Sequence, residues 1–221
     1  MLLSIALAMT TLTSSFDVGG VKVILRESKA NNVVAANLYL LGGARQVTSA
    51  NAGIEALLLE VSERGTKNYP KATLRRKMSR LGSEIATVPS DDWTMFGIRA
   101  TTEVFDSTWA IFADRLMNPT LDAEDVSLIK TQFISGIRQR RDDPDALAEY
   151  LADSIAFTGH PYATSVIGTE SSISSIDAAA LRNYHATQMV KSRMLLVVSD
   201  MFRSSVQVSR HVLALCHGCG T

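Results

Sequence analysis

Four potential soft ligands crowd the end of this chain: His211, Cys216, His217 and Cys219 fall within nine residues. A Cys-x-x-Cys pair beside histidine can hold zinc through thiolate and imidazole, but a lone pair of this kind is a weak signal. His160 precedes Pro161 and Tyr162, and no acid, base or ligand partner can be named for it. It reads as a histidine that fixes a loop by capping a backbone group. His185 follows Tyr184 near the end of a helical pattern, where a cation suits the helix dipole. Serine hydrolysis has no support: there is no G-x-S-x-G elbow, and Ser135-Gly136 lies inside a helical pattern. The run Arg138-Gln139-Arg140-Arg141 is balanced at once by Asp142-Asp143 and reads as a solvated helix end. Trp93 and Trp109 read as core residues, Trp109 beside Phe105 and Phe112 on one helix.

Composition bounds what can position these groups. The chain has 221 residues, enough for one domain or a domain and a half, with 46% hydrophobic and 20% charged residues. That is enough apolar material for a sizeable core, and it argues against disorder. Lys+Arg and Asp+Glu both total 22, so the formal net charge is zero. A neutral chain read as having no basic patch has no electrostatic reason to grip nucleic acid or an anionic membrane. No apolar run approaches the roughly 20 residues of a membrane-spanning helix. Both cysteines lie in the last six residues, so no disulfide framework staples the body. Leu2 to Ala8 is a short apolar run ending in Ala6-Leu7-Ala8. It reads as the remnant of an export signal, which would place the protein outside the cytoplasm, or as a start placed upstream of the fold, which would leave it inside.

The elements follow from periodicity. Val21, Val23 and Leu25 alternate along one strand, Val33 to Leu41 forms a second, and the polar stretch Glu27 to Asn32 suits a hairpin turn. Ala50 to Arg64 carries Ile54, Leu57, Leu58 and Val61 at helical spacing, with Asn51 as N-cap and Gly65 at the stop. Pro70 opens a second helix that Gly82 stops. Strands at Ser83 to Val88 and Trp93 to Thr101 flank a polar turn. Helices at Glu103 to Met117, Asp122 to Arg140 and Pro144 to Phe157 come next, punctuated by Pro and Asx residues. Thr158 to Ser175 reads as a long loop, Asp177 starts another helix, and Met194 to Val198 is a buried strand. Runs of strands followed by runs of helices predict an α+β fold, a largely antiparallel sheet with helices on one face.

Several segments, in order, resemble the N-terminal half of the pitrilysin or insulinase-like metallopeptidases, a family that includes the mitochondrial processing peptidase and the core subunits of the cytochrome bc1 complex. They are Gly20-Val21-Lys22-Val23-Ile24-Leu25, Asn37 to Arg45, Asn51-Ala52-Gly53-Ile54 leading to Gly65-Thr66, Asp142-Asp143-Pro144, Gly159-His160-Pro161-Tyr162, Gly168-Thr169-Glu170, and Met194 to Val198. Any one of these is weak; together in register they are specific. The resemblance assigns residues 16–200 to the family domain. Residues 1–15 are then a signal remnant or a disordered start, and 201–221 begin a helix before a tail that no longer fits beyond about Arg210, as a frameshifted end or a truncated gene would not.

Active members of that family carry an inverted zinc motif, H-x-x-E-H, whose two imidazoles hold zinc while the glutamate acts as general base on metal-bound water. Counted from Gly53 to Gly65-Thr66, the corresponding positions here are Ala56, Leu59 and Glu60. The family's third ligand, a glutamate on a later helix, falls on Gly136 within Phe133-Ile134-Ser135-Gly136-Ile137. The resemblance therefore implies no catalytic residue, no metal and no cofactor in this chain. Glu60 and Glu63 alone would make only a weak oxygen site; they read as solvent-facing or interface carboxylates on an amphipathic helix, beside Arg64 or Lys67. The implied role is a non-catalytic subunit that pairs with an active zinc peptidase subunit, or with a missing C-terminal half, and helps enclose peptide. The alternative is a structural subunit of a larger complex, as the bc1 core proteins are. A zinc peptidase acting alone lacks its ligands.

Overall fold

Alternation along the strands decides how the sheet is covered. In β3 (Val33–Leu41) the residues Val34, Ala36, Leu38 and Leu40 are buried while their neighbours are half-buried or exposed. The same period governs β2 (Val21–Glu27), β5 (Trp93–Thr101) and β6 (Met194–Asp200). One face of the sheet therefore supplies the core and the other stays partly open. Pairing extends this into rows: Leu25, Val198, Ala36, Ile98 and Ile85 lie side by side on the core face of five successive strands. The structure is a computed structural model that describes residues 13–27, 32–200 and 205–216.

With β1 (Thr13–Val18) and β4 (Glu84–Pro89), six strands form one sheet in the order β1-β2-β6-β3-β5-β4. Only β2 with β6 is parallel; the other four pairings are antiparallel. The hairpin expected between the first two predicted strands does not form, because β6 lies between β2 and β3 and pairs with both. The true neighbour of β2 is β1, joined through Gly19 and Gly20, both at positive φ, with the Asp17 carboxylate accepting from the Gly20 amide at 3.0 Å. Strand β1 is polar, Thr-Ser-Ser-Phe-Asp-Val, and carries no apolar alternation by which to find it.

Helices α1 (Ile54–Val61), α2 (Lys71–Leu81), α3 (Phe105–Met117), α4 (Ala123–Arg141), α5 (Pro144–Ala156), α6 (Glu170–Ser175), α7 (Ala178–Gln188) and α8 (Ser205–Cys216) complete the described fold. The expected long loop contains α6, which opens with a reciprocal capping box: the Ser172 amide donates to Thr169 Oγ1 at 3.1 Å, and the Thr169 amide donates to Ser172 Oγ at 2.9 Å. Six residues are too few to announce themselves by periodicity. Asp143 and Asp177 cap α5 and α7 as their positions predict. Asn51 does not cap α1; its side chain accepts from Thr48, and the cap position is Gly53 in the left-handed region.

The packed unit is wider than residues 16–200. Strand β1 begins at Thr13, and α8 runs past Arg210 with Val208, Val212 and Leu215 buried. Trp109 stacks with Phe105 and packs on Phe112 in the core, donating its indole N–H to the His211 carbonyl at 3.1 Å. Trp93 is not a core residue. It is half-buried on the open sheet face, edge-on to Tyr39 at 5.0 Å. The expected signal remnant at residues 1–8, most of the turn before β3, and His217 and Cys219 lie outside the described residues. Among the described residues no helix is long and apolar enough to cross a membrane.

Candidate functional site

Helix α1 carries three of the four positions at which the chemistry of the fold is expected. Seven of its eight residues are buried, since it packs against β4, β5, α4 and α7. The expected amphipathic helix is more enclosed than its pattern predicts, while Glu63 beyond its end faces solvent. Ala56 is buried and has no donor atom. Leu59 is 1% exposed and continues the apolar run of Leu57 and Leu58. Glu60 is half-buried and Glu63 exposed. Gly136, on α4, faces open space: a Cβ there would meet nothing within 4 Å. A methyl, an isobutyl, one carboxylate and a missing side chain do not fit a zinc ligand set. Among the described residues no three His, Cys, Asp or Glu side chains gather as a metal site.

The charged partner of this helix end is Arg115 of α3, which the sequence did not single out. Its guanidinium is 3% exposed. It donates to Ser62 Oγ at 3.1 Å and to the Leu59 carbonyl at 3.3 Å, and pairs with Glu63 at 3.2 Å. Burial pulls the Arg115 pKa down while Glu63 and Glu60 oppose it. A guanidinium keeps its charge under such pressure. Burial, then repulsion from Glu63, holds the Glu60 carboxyl above its usual range, and Arg115 offsets this only in part. Neither Arg64 nor Lys67 is the partner of these carboxylates. Arg64 turns to Asp125 at 3.1 Å, where Lys71 also binds at 2.5 Å.

The start of α1 is anchored by a second buried ion pair. Glu55, 5% exposed, accepts from Arg193 at 2.9 Å and from the Tyr184 hydroxyl at 2.9 Å. Arg193 also donates to the Leu41 and Gln188 carbonyls, tying β3, α7 and the start of β6 to one residue of α1. Burial and the Glu55 carboxylate push the Tyr184 hydroxyl far above its ordinary pKa, so it remains a donor. Gly53 and Gly168 meet at the same end. A Cβ on Gly53 would lie 2.7 Å from the Ile167 carbonyl oxygen, and one on Gly168 would lie 2.6 Å from that of Ala52. Both glycines also have φ near +85°, at 86° and 84°. Asp114 organises the far end: it accepts from Thr66 Oγ1, from the Asn68 amide at 3.0 Å and from Asn118 Nδ2 at 2.9 Å. The Asn-Ala-Gly, Gly-Thr and Gly-Thr-Glu segments are thus the joints that seat α1.

The other singled-out histidines are local fasteners. His160 Nδ1 accepts from the Tyr162 amide at 3.3 Å. His185 Nε2 lies 2.7 Å from the Leu116 carbonyl oxygen. His211 bridges the Gln207 carbonyl and Asp106. Arg138 and Arg141 pair with Glu170 across to α6 rather than with Asp142-Asp143.

A six-stranded, mostly antiparallel sheet backed by helices, with α1 enclosed among them, defines an α+β domain. Residues 22–170 match the insulinase family, peptidase family M16, and the chain belongs to that family. It is 22% identical over 192 residues to the uncharacterized zinc protease YmxG of Bacillus subtilis (strain 168), covering 85% of this chain and 47% of that protein. It is 23% identical over 187 residues to cytochrome b-c1 complex subunit 1, mitochondrial, of Caenorhabditis elegans, covering 85% of this chain and 38% of that protein. Its fold superposes on the crystal structure of a peptidase M16 inactive domain from Pseudomonas fluorescens with a TM-score of 0.84, at 19% identity, over 94% of this chain and 51% of that one. The chain thus spans about half the length, or less, of these proteins.

Proposed function

We propose that this chain is a non-catalytic member of the family, pairing with an active zinc peptidase subunit or with a second half-molecule and helping to enclose peptide. The observation that carries the reading is Leu59. It occupies the position proposed for the general base, is 1% exposed, and belongs to a helix enclosed at seven of eight positions. Ala56, Glu60 and Gly136 at the proposed ligand positions leave no imidazole and no third carboxylate. Zinc chemistry is derived from none of these groups.

Two features favour a partner. The open sheet face presents Tyr39, Trp93, Met95, Leu195 and Val197 half-buried. Helix α5 has no buried residue, and Leu151 and Ile155 on it are exposed, Ile155 by 73%. Apolar side chains left partly uncovered on a sheet face and on a helix favour a contact surface. Strand β4 pairs only with β5, leaving an edge to which an extended peptide could add as a strand. The similarity to the b-c1 subunit supports a second reading, a structural subunit of a larger complex, in which peptide binding has no part.

Elemental analysis of the purified full chain carrying Cys216→Ser and Cys219→Ser tests the central claim. Less than about 0.1 zinc per chain is expected, since a structural or catalytic site with its ligands intact retains metal through purification. One tightly held zinc per chain would overturn the reading. Binding of an unlabelled peptide library by the chain together with its active partner, but not by a bc1-type assembly, separates the two readings.

A further inference from the structure

The expectation that the chain has no basic patch is overturned by α2. From Arg64 to Arg80 there are seven cations, Arg64, Lys67, Lys71, Arg75, Arg76, Lys77 and Arg80, and no acid appears until Glu84. Part of this charge is used within the fold. Arg64 and Lys71 pair with Asp125, and Lys77 lies 4.8 Å from the centre of the Tyr69 ring. Among the described residues nothing pairs with Arg75, Arg76 or Arg80, and all three are exposed.

Helical geometry gathers these three on one side. Leu74, Met78 and Leu81 turn inward, Leu74 buried and the others half-buried against the core. At about 100° per residue, Arg76 stands opposite that stripe, with Arg75 and Arg80 to either side. Ala72 and Ser79 lie between them and are small. At its edge, Lys77 and Arg80 line an open concavity of about 480 Å³ between α2 and α3, shared with Tyr69, Ser107 and one carboxylate, Asp106, which pairs with His211. The first turn of α2 holds Lys71 and no acid; the anion at this end is Asp125 of α4, which Lys71 and Arg64 share.

We propose that the outer face of α2 is a docking surface for a carboxylate-rich segment of a partner protein. This rests on the partner-subunit reading above. Guanidinium forks match carboxylates two bonds at a time, and small neighbours let a main chain come close. A membrane is disfavoured because the apolar residues of α2 face inward, leaving nothing to enter the acyl region. Single-stranded nucleic acid is disfavoured because α2 itself carries no aromatic residue on which a base could stack.

The test is fluorescence anisotropy of the full chain with a labelled peptide of alternating Glu and Gly, at about 150 mM salt, where exposed long-range attraction is largely screened. Competitors are duplex DNA and vesicles of phosphatidylserine with phosphatidylcholine. Binding to the peptide is expected. It should weaken by roughly tenfold or more in R75S/R76S/R80S, and by several-fold in R75K/R76K/R80K, which keeps the charge but loses the fork. These positions are exposed, so the variants should keep the thermal midpoint of the parent. Equal affinity in the serine variant, or tighter binding to DNA or vesicles than to the peptide, would overturn the proposal. Zinc content is independent of this face, so failure here leaves the non-catalytic reading standing, and stoichiometric zinc would leave the docking surface standing.

Discussion

Glu60 is a half-buried carboxylate whose surroundings disfavour its charge. Burial and Glu63 raise its pKa in the fold above the unfolded value. A raised carboxyl costs stability while it is ionised, so the cost is present at neutral pH. It fades as pH falls through the folded pKa and is gone below the unfolded value of about 4.3. Glu60→Gln should therefore stabilise the chain at pH 7, on the order of 0.5 kcal/mol for a half-buried group, with no gain near pH 4. Urea midpoints at the two pH values measure it, and a loss at pH 7 would mean that attraction to Arg115 dominates. Glu55 is held differently: its buried carboxylate accepts from both Arg193 and Tyr184. Arg193→Met would leave that carboxylate buried with only Tyr184 to donate, and should cost roughly 3 kcal/mol. Adding Glu55→Gln should recover a large part of the loss, which a two-residue mutant cycle in urea would show.

Among the helices, two glycines make opposite predictions. Gly53 begins α1 at positive φ, with the Ile167 carbonyl where a Cβ would go. Gly53→Ala should cost about 2 kcal/mol or more, from strain and from displacing the segment that leads into α6. Gly136 lies in the body of α4 with open space around it. Gly136→Ala should stabilise by roughly 0.5–1 kcal/mol, the ordinary helix-propensity gain. Thermal midpoints of the two variants read both signs at once. A destabilising Gly136→Ala would mean that the surroundings of α4 are tighter than this structure describes. The joints at Gly53 and Gly168 seat α1 so that seven of its eight residues are enclosed.

For the whole molecule, uncovered apolar surface sets behaviour. The open sheet face and α5 leave apolar side chains partly uncovered. The isolated chain is expected to self-associate, and to become better behaved with a second half or an active family subunit. Apolar association of this kind should change little with salt, whereas docking at α2 should be steeply salt-dependent. Light scattering at two ionic strengths separates the two contributions. A monodisperse monomer at both, with no partner present, would mean that the chain is a self-sufficient domain.

What the sequence determined by itself were the features written in neighbours: the alternation of β3 and β5, the β4–β5 hairpin, the Asp caps of α5 and α7, and the absence of imidazole from α1. Each is a matter of residues a few positions apart. Tertiary structure decided the rest, because the deciding partner is distant along the chain. Strand β6 enters between β2 and β3 from far downstream, so no local signal could reveal that these two do not pair. Glu55 looks like a surface carboxylate until Arg193 and Tyr184, 138 and 129 residues away, are brought to it. Arg115 became the partner of Glu63 only when α3 packed against the end of α1. The basic face of α2 disappears in a net charge of zero, because composition averages over the chain while a helix sorts its charges onto one side. Burial makes these choices: a charge costs little in water and must find a partner in the core, and only the fold decides which charges are buried.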